Sequence, residues 1–156
     1  MLLLTLLILC LGGVGGVFLT LTGQPNEIRA KVTPATVAVA VSEEVTIELA
    51  IENVGLDTAT ISSIGVDQKL LDGVEVVSMT PAYRAARRRD YPLIGAWSDY
   101  KLDQQLFGGS VLTVTLVLRG VRPGTYGGDV TVWVESELFG LPFERARRES
   151  LNVEVR

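Results

Sequence analysis

Enzymes need nucleophiles, proton carriers or metal ligands, and this 156-residue sequence is short of all three. It has no histidine, which removes the commonest general base, the Ser-His-Asp arrangement and most zinc and copper ligand sets. Its one cysteine, Cys10, sits inside an apolar run, so the rest of the chain has no thiol for a disulfide or a metal. Among the carboxylates, Asp99 and Asp103 stand four apart and Glu43 and Glu44 are adjacent. None falls in the D-x-[DN]-x-[DN]-G spacing that wraps calcium. No G-x-S-x-G elbow, phosphate-cradling Gly-rich loop or H-E-x-x-H occurs. Gly108-Gly109-Ser110 and Gly127-Gly128 lead into strand-like runs and read as turns. The expectation is a non-enzymatic protein without metal or cofactor.

The residue types favour recognition instead. Residues 79–109 hold Tyr83, Tyr91, Trp97, Tyr100 and Phe107, half of the chain's aromatics, beside Arg84, Arg87, Arg88, Arg89 and Lys101. Aromatic and arginine side chains give large contact area with a polar handle, which partner-binding surfaces select. Arg88, Tyr91, Trp97 and Tyr100 are therefore the candidate partner-binding residues, for a protein or a polysaccharide. The competing reading has the aromatics capping an open end of the domain while the arginines face water. The net charge of −4 argues against nucleic acid, which is bound by clustered basic residues.

These side chains must be positioned by strands. Val45, Ile47, Leu49 and Ile51 alternate with Glu44, Thr46, Glu48 and Glu52, a half-buried antiparallel strand with an acidic outer face. Asn53-Val54-Gly55 breaks the run as a turn. Ala59 to Val66 forms another strand whose phase slips at Ser62-Ser63, predicting a bulge. Val74 to Val77 is a short apolar piece. Val37 to Val41, Leu112 to Leu118, Val130 to Val134 and Leu151 to Val155 repeat the alternation. About seven strands with turn signals between them predict an all-β, Ig-like antiparallel sandwich over residues 35–156. It carries a long inserted loop at 79–109, in which Ala82 to Arg89 is the one helical candidate. Alternation also turns Trp133 outward, opposite residues 146–147 of the following strand, where Arg145, Arg147 and Arg148 are placed to cover the indole by cation–π stacking.

The chain is 47% hydrophobic, and nearly all of its net hydropathy lies in residues 1–22. Leu2 to Leu21 carry no charge, and about 20 residues at a rise of ~1.5 Å reach across a bilayer's hydrocarbon core. Residues 1–22 are expected to form a single transmembrane signal-anchor helix, with residues 2–21 in the lipid bilayer and residues 23–34 as a linker. A cleaved signal peptide is the competing reading. Gly12 and Gly16 have the G-x-x-x-G spacing that lets two helix backbones approach, a candidate helix–helix contact that leaves the oligomeric state open. Arg29 and Lys31 follow the helix and none precedes it, which by the positive-inside rule favours a cytoplasmic domain. A β-sandwich behind a single N-terminal anchor is more often exported, so an extracytoplasmic location is expected.

The stretch Val45-Thr-Ile-Glu-Leu-Ala-Ile-Glu-Asn-Val-Gly55 followed by Ala59-Thr-Ile-Ser-Ser-Ile-Gly-Val66 resembles the start of prokaryotic CARDB-type and related Ig-like cell-surface domains. Leu112 to Leu118 and Val121-Arg-Pro-Gly-Thr-Tyr-Gly-Gly-Asp-Val-Thr-Val-Trp-Val134 resemble that family's penultimate strands. The length of segment 79–109 departs from it. The resemblance implies an adhesion, ligand-presenting or spacer module and no catalytic residues. Its alternative is a structural subunit of a membrane complex, assembled through the helix and the sandwich edge. A reporter fused after Arg156 is expected to score as exported; activity of a reporter that works only in the cytoplasm would reverse the orientation.

Overall fold

The computed structural model describes residues 24–91, 95–138 and 141–156. The apolar run with Cys10, Gly12 and Gly16 lies outside the described residues, and among these no helix is long and apolar enough to cross a membrane. The described chain forms a sandwich of two sheets. The first contains β1 (Ile28–Thr33), β3 (Glu44–Asn53), β8 (Val111–Gly120) and β5 (Val74–Thr80), in the order β1-β3-β8-β5. The second contains β2 (Thr36–Val39), β10 (Leu141–Val155), β9 (Gly124–Leu138), β4 (Ala59–Asp67), β7 (Gly95–Leu106) and β6 (Ala85–Tyr91), in the order β2-β10-β9-β4-β7-β6. The first order is that of strands A-B-E-D in an Ig domain, and β10-β9-β4 is its G-F-C face. A short helix, α1 (Gln68–Leu71), is capped by the Asp67 side chain accepting from Lys69 N.

Alternation explains the layers. Ile47, Leu49 and Ile51 on β3 and Val114, Leu116 and Leu118 on β8 are fully buried against Ile61, Ile64, Val130, Val132 and Val134 of the other sheet. Each such side chain contributes about 1.5–3 kcal/mol when taken out of water. The intervening Glu44, Glu48 and Glu52 face solvent. At Ser62-Ser63 the register shifts against both neighbouring strands, the bulge that the phase slip predicts. Tyr126, near the start of β9, makes an Ig-like tyrosine corner: its hydroxyl donates to Pro123 O at 3.1 Å. The ring lies on Gly73, where a Cβ would come within 2.0 Å of it.

Three boundaries differ from the sequence expectation. The described residues hold ten strands instead of seven. Residues 28–33, assigned to the linker, are β1, because Ile28, Ala30 and Val32 alternate with Arg29 and Lys31 and pair along β3 from Ile28↔Asn53 to Thr33↔Glu48. Residues 79–109 are not a loop. They hold a β-hairpin, β6–β7, inserted between the D-like and E-like strands β5 and β8 but added beside β4, so it extends the six-stranded sheet. The helical candidate at 82–89 falls mostly on β6, an edge strand on which Arg87 and Arg88 face solvent.

Asn53 is more than a turn residue. It is fully buried, and its Nδ2 donates to Asp57 O at 2.8 Å and Leu106 O at 2.9 Å while Oδ1 accepts from Gly55 N at 3.0 Å. One side chain thus ties the β3–β4 loop to the end of β7. Asn53→Ala leaves these backbone groups unpaired, at about 1–3 kcal/mol for a buried one, so a loss of about 2–4 kcal/mol is expected in urea unfolding. A loss below about 1 kcal/mol would show that the knot is dispensable.

Candidate functional site

In a strand, neighbouring residues point to opposite faces, and this divides the predicted site. On β7, Trp97, Asp99 and Lys101 point outward from the six-stranded sheet while Tyr100 and Leu102 point into the sandwich, as their burial shows. On β6, Arg87, Arg89 and Tyr91 share the outer face, opposite Asp99, Trp97 and Gly95. Arg88 sits opposite Ser98 on the other face and pairs with Asp90 at 3.7 Å. Tyr91 and Trp97 are therefore brought together, and Arg88 and Tyr100 are not part of their surface. Tyr100 is a core residue, covered edge-on by Tyr83 at 5.1 Å between centroids. Burial raises its hydroxyl pKa.

The outer face carries a ladder of three rings. Trp97 stacks between Tyr91, at 5.4 Å, and Trp133, at 5.6 Å, with interplanar angles of 30° and 27°. Trp133 is on β9, outward and opposite Ala146 as alternation requires. Among the described residues no arginine stacks on Trp133: Arg148, on the outer face, lines the groove beside the indole, and Arg145 and Arg147 point to the other face of β10. There Arg145 meets Glu27 and donates to Ser136 Oγ at 2.7 Å, while Arg147 donates to Gln24 Oε1 at 2.9 Å. The second indole takes the place assigned to the guanidinium.

Gly65, the residue between the two indoles on β4, makes this possible. A Cβ there would lie 2.9 Å from Trp133 Nε1 and 3.2 Å from Trp97 Cδ1. Trp97 Nε1 donates to Asp99 Oδ1 at 2.9 Å, and Asp99 Oδ2 meets Arg89 as an ion pair without the alignment of a hydrogen bond. Burial pushes the Asp99 carboxyl above the ordinary aspartate range, against the opposing pull of the Arg89 charge and the Trp97 hydrogen bond. The Trp133 Nε1 proton is buried without an acceptor among the described residues.

Around the ladder the face is grooved and polar. A groove of about 380 Å³ runs between α1 and β10, lined by Asp67, Lys69, Trp97, Thr131, Trp133 and Arg148. It shares both indoles with a depression of about 260 Å³ that reaches Arg89, Tyr91, Asp99 and Glu144. A further one, of about 290 Å³, continues past Arg89 and Asp99 to Ser62, Arg87 and Lys101. Ser62 Oγ donates to Glu144 Oε1 at 2.6 Å, which fixes that carboxylate at the rim. Among the described residues no three Asp, Glu, Cys or His side chains are grouped to hold a metal ion. The sequence pattern assigns Trp133 and Arg148 a packing role and does not assign Gly65 or Thr131 to this face. The available signal was Gly65 itself, a glycine at an outward position between the inward Ile64 and Val66.

No family model matches the chain, and no curated protein matches it. Among solved structures, a family 123 glycoside hydrolase from Clostridium perfringens is similar with a TM-score of 0.51 and 9% identity, over 83% of this chain and 27% of the hydrolase. Native alpha-2-macroglobulin from Escherichia coli, from domain MG7 to the C-terminus, gives 0.49 and 18%, over 87% of this chain and 17% of that one. PapD-like domain 7 of human CEP192 gives 0.40 and 10%, over 86% and 90%. At 9% identity the likeness to the hydrolase is one of fold alone.

Gly65→Ala places a methyl group under both indoles. It is expected to destabilise the domain by about 1–3 kcal/mol, as overpacking does, and to weaken the near-ultraviolet circular dichroism of the coupled rings while the sheet signal persists. An unchanged aromatic signal would show that the ladder does not rest on Gly65.

Proposed function

We propose that this protein is a non-catalytic, Ig-like recognition module of the cell-surface kind. In this reading it is held outside the cytoplasm by its apolar N-terminal segment and binds a protein partner on the outer face of the six-stranded sheet. The observation that carries the proposal is the Tyr91–Trp97–Trp133 ladder, set in a continuous groove and rimmed by Arg87, Arg89, Arg148, Asp129 and Glu144. Tryptophan, tyrosine and arginine are the residues that dominate protein–protein binding energy, and partly dried rims around them strengthen each contact. The rings stack on one another, so they offer edges and a polar margin instead of the flat platform a sugar ring would lie on. This favours a protein over a polysaccharide. Asp99, the most buried carboxylate of the face, is already engaged by Trp97 and Arg89, which supports a positioning role over acid–base work.

The test is capture of the partner by the full chain on intact cells, with a photo-crosslinking residue at Thr131 in the groove. Tyr91→Ala combined with Trp97→Ala is expected to reduce crosslinked partner about tenfold or more, the scale of losing interface hot spots, while Tyr100→Phe leaves it unchanged. Undiminished capture by the double variant would remove the face from the binding role. Retention of the chain on insoluble polysaccharide, abolished by the same pair, would replace the protein partner with a glycan.

A further inference from the structure

The sandwich has two unlike ends. Gln24 to Ile28 enter at one of them, here called the near end, where Ile28 pairs with Asn53 and Val54 N donates to Glu27 O at 2.8 Å. The β3–β4 loop, the β7–β8 loop and the outer part of the β9–β10 hairpin all lie at this end, since Ala59 pairs with Leu106 and Ile61 with Val134. The far end carries Gly120, α1 and Arg156. The four most exposed large hydrophobic side chains of the described residues are Leu56 at 99%, Leu141 at 70%, Phe107 at 63% and Val111 at 59%. All four are at the near end. Leu56 and Phe107 belong to adjoining loops, because the Leu56 carbonyl oxygen lies 2.5 Å from where a Cβ on Gly108 would stand. Single exposed leucines are ordinary on protein surfaces, but four such side chains gathered on the loops and strand starts of one end are not.

The sequence supplies the occupant. The uncharged run Leu2 to Leu21 precedes Gln24 by two residues, and Gln24 and Glu27 are fixed to Arg147 and Arg145 of β10. A chain so short and so anchored brings whatever surrounds residues 2–21 against the near end. We infer that the near end is a bilayer-contacting surface, with Leu56, Phe107 and Leu141 dipping into the interfacial layer of the membrane that the apolar segment enters. This rests on the membrane attachment proposed above. Asp57, Glu135 and Glu137 are exposed beside the tips, so the contact is with the apolar part of the interface and gains nothing from anionic headgroups. The aromatic groove, whose Trp97 pairs with Asp67 and whose Tyr91 pairs with Gly95, lies toward the far end and stays clear of the lipid.

The inference is tested on the full chain in phosphatidylcholine vesicles, with single nitroxide labels at positions 56, 107 and 141, and at 41 and 121 of the far end, in a Cys10→Ser background. A label on Cys10 of the native sequence reports the attachment. The near-end labels are expected to collide with oxygen over a water-soluble nickel chelate several times more than the far-end labels, with no increase when phosphatidylglycerol is added. Near-end labels as chelate-accessible as positions 41 and 121, with the Cys10 label lipid-embedded, would overturn the docking while leaving the attachment standing. A Cys10 label in water would overturn both. Labels at 56, 107 and 141 shielded from both reagents and broadened by one another across chains would replace the lipid with a second copy of this protein.

Discussion

Two sheets can close on each other only by drying the sides that face each other, and the architecture follows from that dry layer. The buried rows of β3 and β8 meet those of β4, β9 and β10 without a charged side chain between them. Once these rows are fixed, the opposite side of each strand is committed to solvent. The aromatic ladder is a product of this commitment. Trp97 and Trp133 are outward residues on strands whose inward neighbours are core, so they shield each other by stacking side by side over a glycine.

The strands that form the dry layer were the ones legible in the sequence. Alternation over 44–52, 112–118, 130–134 and 151–155 survives into the structure with the predicted side inward. Where it failed, a physical reason is visible. β6 is an edge strand exposed along nearly its whole length, so it has no apolar period to detect, and its charges protect an edge from unwanted pairing. In β7 the period is present in Tyr100 and Leu102, but Asp103 adopts a left-handed backbone with φ of 52° beside the Ser62-Ser63 bulge, and the phase is lost there. β1 alternates plainly, yet Pro25 and Pro34 on either side give it the look of a linker.

The candidate site was half legible for the same reason. Composition drew attention to the aromatic and arginine-rich segment, but without strand phase it could not separate Tyr91 and Trp97 from Tyr100 and Arg88. Trp133, more than thirty positions away, reaches the cluster only because β4 lies between β7 and β9. Sheet order across a crossover is tertiary information. Gly65 acquires its meaning from that order, because it lies on β4 between the strands that carry the two indoles.

The clasp between β10 and residues 24–27 bears on mechanics. On the proposed attachment, a partner held at the far end pulls away from the membrane, and the chain resists at Gln24. That force runs along β1, whose pairs with β3 from Ile28 to Thr33 are antiparallel with hydrogen bonds perpendicular to the pull. The ladder is thus loaded in shear, with its pairs resisting together instead of peeling one after another. The ion pair of Arg145 with Glu27 and the hydrogen bond of Arg147 to Gln24 share the load before it reaches the strand. On that attachment, a module built this way is suited to staying folded under a pull.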